Sequence, residues 1–240
     1  MENYSEPITF ICPTRGRVSN VSRLIESSTA TYSGNTRLNF MFYMDDDDSK
    51  TIDLVKSISP SDPNITVTVT VGPRIIMSEM SNILARKAEK GILFFCGDDI
   101  VMESKDWDIA VSNEFAEVED KILLVYGDDG LMHESLATHF FLHSNWIDTL
   151  GYMVPPVFTG DWVDNYVTAV ATSLDRKVYL PDVKTTHYHP TAGKAAMDVV
   201  YLEKYHRDIK SNPQARFNAT GNERDADAEK LREVMENSND

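Results

Sequence analysis

A short apolar run that ends on two aspartates constrains this chain more than any other feature: Gly91-Ile92-Leu93-Phe94-Phe95-Cys96-Gly97-Asp98-Asp99-Ile100. The run is far shorter than the roughly 20 residues that span a bilayer, so it reads as a buried strand. The carboxyl ends of such strands are where open α/β sheets hold ligands. Two carboxylates placed there carry a desolvation cost unless donors or a cation offset it. A divalent ion shared with a nucleotide diphosphate would offset it, and hard oxygen ligands suit Mg²⁺ or Mn²⁺. A strand-to-turn Asp-Asp pair that caps a helix is the other reading. The run alone does not choose between them.

The first half repeats a strand-then-helix pattern around this run. Ile8-Thr9-Phe10-Ile11-Cys12 is a strand stopped by Pro13-Thr14-Arg15-Gly16-Arg17. Residues 18–27 have helical spacing, with Val18, Val21, Leu24 and Ile25 on one face. Residues 38–44 form a second apolar strand that ends in Asp45-Asp46-Asp47-Asp48, and 51–58 a short helix. Residues 65–71 alternate Ile, Thr and Val in the manner of a half-buried strand. Residues 78–90 are a helix with Met80, Ile83, Leu84 and Ala88 inward. This βαβα order predicts an α/β fold, a mostly parallel twisted sheet flanked by helices. The second half predicts helices at 107–115, 145–150 and 161–174. It predicts strands at 122–126, 137–142 and 177–180, the last closed by Pro181-Asp182. From 213 to 240 the chain is charged and poor in large apolar residues, which suggests a helix-prone or disordered tail.

Bulk properties narrow the partners. The net charge of −15 argues against a broad basic surface for nucleic acid, so DNA is disfavoured as a partner, although a local basic groove is compatible with it. The two cysteines, Cys12 and Cys96, both fall in predicted strands and read as core residues of a reducing compartment. With no signal-peptide pattern at the N-terminus and no span-length apolar stretch, the expectation is a cytoplasmic protein.

Four ordered segments across residues 8–190 resemble glycosyltransferases of the GT-A fold, in particular the family-2-like group. Residues 11–17 are similar to that family's first strand and nucleotide loop. Residues 81–88 with Cys96-Gly97-Asp98-Asp99 are similar to its Asn/Arg helix and DxD strand. Leu150-Gly151-Tyr152 with Thr159-Gly160-Asp161 is similar to its Gly-aromatic turn and ED motif. Tyr179-Leu180-Pro181-Asp182 with His187 is similar to its last strand and late histidine. Gly97 stands where the first DxD aspartate is expected, and Gly160 where the ED glutamate is expected. The texture also resembles glycosyltransferases carried by bacteriophages. The resemblance implies a single GT-A domain over 1–212. Nucleotide binding would fall at about 7–103 and acceptor binding at about 104–190, with 213–240 as the tail.

The resemblance implies a divalent cation (Mn²⁺ or Mg²⁺), a nucleotide-sugar donor (UDP favoured, GDP as alternative) and an acceptor hydroxyl. Asp99 would ligate the metal, and Asp98 would bond the ribose or support the metal. His187 would complete the metal shell, with His189 behind it, since the two point to one side of an extended stretch. Pro13, Thr14, Arg15 and Arg17 form the nucleotide loop, where arginine suits bidentate phosphate contacts. Asn82 and Arg86 belong to the nucleotide helix. Asp45 is chosen from the acidic run as the base or ribose contact, against the usual fate of such runs as solvated charge. Asp161 is the candidate catalytic base, with helix N-cap as its other reading and His139 or Asp164 as alternative bases. Asp128 and Asp129 suit acceptor, sugar or a plain turn, and Trp162 suits stacking on a sugar or packing. Two rival functions stand beside this one. A nucleotidyltransferase needs a more glycine-rich first loop than residues 13–17 offer. A non-catalytic binding protein would explain the losses at Gly97 and Gly160.

Overall fold

The computed structural model describes residues 6–190 and 193–238. The strands are β1 Ile8–Thr14, β2 Leu38–Asp45, β3 Ile65–Gly72, β4 Ile92–Phe95, β5 Ile100–Met102, β6 Leu124–Asp128, β7 Phe140–His143 and β8 Lys177–His187. The helices are α1 Val18–Thr31, α2 Ser49–Ser57, α3 Met77–Lys87, α4 Trp107–Ala116, α5 Ser144–Leu150, α6 Val163–Ser173, α7 Val199–Ser211, α8 Pro213–Ala219 and α9 Gly221–Asn237. One sheet runs in the order β3-β2-β1-β4-β7-β6-β8-β5. The β3-β2-β1-β4 half is parallel, as the βαβα order requires. Strand β7 runs antiparallel to β4 and to β6, and β5 runs antiparallel to β8.

Each face of the sheet packs its own core. Adjacent residues on a strand point to opposite faces, so Phe10 and Phe94 lie on one side while Ile11 and Phe95 lie on the other. Phe10 stacks on Phe40 at 4.3 Å between ring centroids, and Phe94 on Phe141 at 4.1 Å.

Three differences from the sequence expectation have physical causes. Strand β8 does not stop at Pro181 but runs on to His187. Its pairing with β6 shifts register at Gly127 and Asp128, and this irregularity accommodates a proline that has no N–H to give. A Cβ at Gly127 would lie 2.1 Å from the Val183 carbonyl oxygen, so only glycine fits under it. Strand β5 has three residues, too few for periodicity to register. The region after 213 takes the helical of its two expected forms, as α8 and α9, but it is no loose tail: α9 packs on α5 and α6 through the buried Leu231 and Ala228.

Asp227 of α9 is buried where it accepts hydrogen bonds from the hydroxyls of Tyr152 and Tyr166, the latter at 2.8 Å. Asp227→Ala leaves both hydroxyls without that acceptor and should destabilise the fold by about 1–3 kcal/mol. Denaturant unfolding measures this; a change within error would show that α9 is not anchored there.

Candidate functional site

Strand ends converge on one point because of their registers. Parallel pairing of β1 with β4 aligns Ile11 with Phe95, so the loops that follow them lie side by side. Thr14 Oγ1 thereby donates to Asp98 Oδ2 at 2.5 Å, while Arg17 Nη1 and Asn20 Nδ2 reach Asp98 Oδ1 at 3.2 and 3.3 Å. Antiparallel pairing of β5 with β8 sets His187 opposite Ile100, beside Asp99. Antiparallel pairing of β4 with β7 aligns Phe95 with Phe140, which brings His139 against the same residues from the other side. The converging ends line a cleft of about 440 Å³.

The carboxylates divide into two sets. Asp98 is already served by three donors. Burial pushes its carboxyl up, and Arg17 opposes that shift. Asp99 faces His187 Nε2 at 3.6 Å and accepts from the Tyr201 hydroxyl. Burial would raise Asp99, but His187, His139 and Tyr201 outweigh it and hold the carboxyl well below the usual range. His187 is held between Asp129 and Asp99, which overcome burial and raise it to about 9. Both ring nitrogens of the half-buried His139 are shielded from water and unbonded, and desolvation lowers it to about 3, so it is neutral.

Asp99, His139 and His187 each offer one ligand atom, and these atoms lie within 4.8 Å of one another. Buried imidazole nitrogens without partners carry an unmet cost, which a cation would remove. Two imidazoles and a carboxylate suit a borderline divalent ion better than Mg²⁺, which prefers oxygen alone. The residues therefore fit a metal. Gly97 has a role here as well: a Cβ on it would lie 2.4 Å from Asp99 Oδ1, so a side chain at 97 would press on the carboxylate.

The structure distributes the other expected residues. Pro13, Thr14, Arg15, Arg17, Asp45, Asp161, Asp164 and His189 line the cleft with Asp98 and Asp99. Arg15 bonds Asp45 at 2.9 Å and also pairs with Asp47, and Asp48 caps α2, so most of the acidic run is engaged. Asp45 Oδ1 is buried with no hydrogen-bond partner, and burial raises that carboxyl against the pull of Arg15. Helix α6 takes Trp162 as its N-cap residue, at φ 72°, so Asp161 stands one position outside the cap and pairs with Lys204 at 2.5 Å. Burial raises Asp164 to about 6.

Asn82 does not reach the cleft. Its amide accepts from Met153 N and Val154 N and donates to Val154 O, which ties α3 to the loop after α5. Arg86 is exposed at the end of α3, away from the cleft. Trp162 packs on Phe217, 5.3 Å between rings. Asp128 accepts from Gly130 N and bonds His133, as a turn residue does.

Sequence reasoning missed Arg74, which lines the cleft 3.8 Å from Asp45, and it missed α7. Helix α7 lies across the cleft with its polar side inward. Asp198 bonds Arg17 at 3.0 and 3.2 Å, Glu203 pairs with Arg74, Tyr201 bonds Asp99, and Lys204 pairs with Asp161. Its apolar side chains Leu202, Tyr205 and Ile209 face outward and are exposed. Their spacing is a helical signal carried by the sequence of 199–211.

No protein-family model and no curated protein sequence matches the chain. Solved structures do. The mannosyltransferase PcManGT of Pyrobaculum calidifontis, in complex with GDP-Man and Mn²⁺, superposes with a TM-score of 0.59 at 15% identity, over 78% of this chain and 58% of that one. TarS 1-349 of S. aureus in complex with UDP gives 0.56 at 15%, over 75% and 59%. The same protein with UDP-GlcNAc gives 0.56 at 14%, over 75% and 57%. This chain thus spans less than two thirds of those chains. The likeness establishes the fold as GT-A, and a fold alone does not fix a function.

His187 gives a pH test. Its folded pKa of about 9 lies above the unfolded value of about 6.5. The stability it contributes is fully present below pH 6.5 and is lost as pH rises through 9. The metal-free protein should therefore lose Tm between pH 6.5 and 9.5, and His187→Gln should remove that slope. Equal slopes in the two proteins would mean that His187 is not held charged between its carboxylates.

Proposed function

We propose that this chain is a metal-dependent glycosyltransferase that moves a sugar from a nucleotide diphosphate donor to an acceptor hydroxyl with inversion. A UDP-sugar is the favoured donor, with a GDP-sugar as the alternative. The observation that carries the reading is one cleft at the strand ends of a GT-A sheet that joins the His139–His187–Asp99 cluster, in which neither ring nitrogen of His139 is hydrogen-bonded, to Arg15, Arg17 and Arg74. Proteins of this fold bind UDP, UDP-GlcNAc, and GDP-Man with Mn²⁺ in their solved structures.

Asp99, His139 and His187 would hold the ion, Mn²⁺ before Mg²⁺ on this donor set. When bound, such an ion neutralises charge that develops on a leaving diphosphate. Arg17 and Arg74 bind the phosphates by charge-assisted hydrogen bonds. Asp45, with one unpartnered oxygen, accepts from the base or ribose. Asp161, freed from Lys204, takes the proton of the acceptor hydroxyl as its oxygen bonds the anomeric carbon and the carbon–phosphate-oxygen bond breaks.

Calorimetry with UDP- and GDP-sugars, with and without Mn²⁺, tests the reading. Mn²⁺-dependent binding of one donor class is expected, and no binding of either class overturns it. Asp161→Asn should lower kcat by about 10²–10⁴-fold with donor affinity within about twofold. Near-normal turnover would move the base to Asp164, whose carboxyl already sits at about 6.

Helix α7 generates a prediction of opposite sign. Its carboxylates Asp198 and Glu203 sit on the arginines that the diphosphate needs. Removing both in Asp198→Asn with Glu203→Gln should tighten UDP binding about fivefold, near 1 kcal/mol. Weaker or unchanged affinity would show that α7 does not compete with the donor.

A further inference from the structure

Asp129 lies one residue beyond β6, on the opposite side of His187 from Asp99. It is buried. Its two oxygens do different things. Oδ1 accepts from the backbone N–H groups of Leu131, Met132 and His133 at 2.9, 2.7 and 3.3 Å, which closes the turn after β6. Oδ2 is buried with no hydrogen-bond partner among the described residues and lies 3.9 Å from His187 Nδ1. That nitrogen also lacks a partner. The other ring nitrogen of His187 points away, toward Asp99.

Two buried, complementary, unsatisfied atoms that face each other just beyond hydrogen-bond distance need only a small closure to bond. A ligating imidazole offers one nitrogen to an ion and commonly donates the other N–H to a carboxylate, which fixes ring and tautomer. We infer that Asp129 is the positioning residue of the His187 ligand: it accepts Nδ1–H, holds the tautomer whose Nε2 lone pair faces the ion, and anchors that arrangement to the 129–133 turn. The inference rests on the proposed metal reading of this cleft.

Asparagine at 129 separates this role from a merely structural one. Its carbonyl oxygen keeps the three backbone bonds of the turn. Its amide presents a donor to Nδ1, which favours the tautomer protonated at Nε2, the form that cannot ligate. Mn²⁺ binding, followed by electron paramagnetic resonance of the free ion, should weaken about 10–100-fold in Asp129→Asn, with the Tm of the metal-free protein little changed. In a His187→Ala background the same substitution should cost nothing further, since its effect acts through that ring.

If the wild-type protein binds no divalent ion, the metal reading falls and the inference falls with it. If wild type binds Mn²⁺ and Asp129→Asn binds it equally well, the inference alone is overturned. Equal losses in both backgrounds would also overturn it, because Asp129 would then act on the turn only. A measurement on the unmutated protein guards against a variant that fails to fold. Long-range ¹⁵N–¹H spectra of the protein loaded with diamagnetic Zn²⁺ should show His187 protonated at Nδ1, and protonation at Nε2 would overturn the assignment.

Discussion

Charge buried at the end of a sheet is the constraint around which the rest of this structure is arranged. Asp45, Asp98, Asp99 and Asp129 are all nearly inaccessible, and an uncompensated carboxylate in such a place is costly. Each has a separate answer. Arg15 meets Asp45. Thr14, Arg17 and Asn20 meet Asp98. Backbone N–H groups close on Asp129. Asp99 is left with a tyrosine and a histidine at ion-pair distance. The compensation is therefore uneven, and unpartnered polar atoms of Asp129, His139 and His187 collect around one point. This unevenness separates a ligand site from a set of structural salt bridges.

Much of this was legible from residue order. An apolar run that stops on Asp98-Asp99 can only bury its strand and present its end. The alternation of strands and helices in the first half leaves few topologies other than a parallel sheet. Arg17, read from its place just after the first strand, and His187, read from the resemblance, both line the cleft. The less legible residues owe their positions to register. His139 reaches the site because β7 runs antiparallel to β4, and no local pattern carries that information. Arg74 sits in a loop without regular structure. Asn82 was misplaced because a polar residue on the inner face of a helix looks the same whether it bonds a ligand or a backbone loop. Its amide here is engaged by residues 153 and 154.

The two glycines that depart from the family pattern differ physically. At Gly97 a side chain would press on the Asp99 carboxylate, so glycine there leaves that carboxylate its place. At Gly160 a Cβ would meet Met77 only at ordinary contact distance, 3.4 Å, and the structure gives no steric reason for glycine there. The first departure is compatible with retained chemistry. The second leaves Asp161 and Asp164 as the carboxylates of that segment.

Helix α7 turns its polar face to the protein and its apolar face to water, the reverse of an ordinary surface helix. Burial of apolar area therefore contributes little to keeping it in place; opposite charges do most of that. Forces of these two kinds respond to different variables. Apolar docking changes with temperature and is nearly blind to simple salt, whereas partly exposed ion pairs weaken as the Debye length shrinks, from about 30 Å at 0.01 M to about 8 Å at 0.15 M. The hold of α7 on this cleft therefore weakens as ionic strength rises.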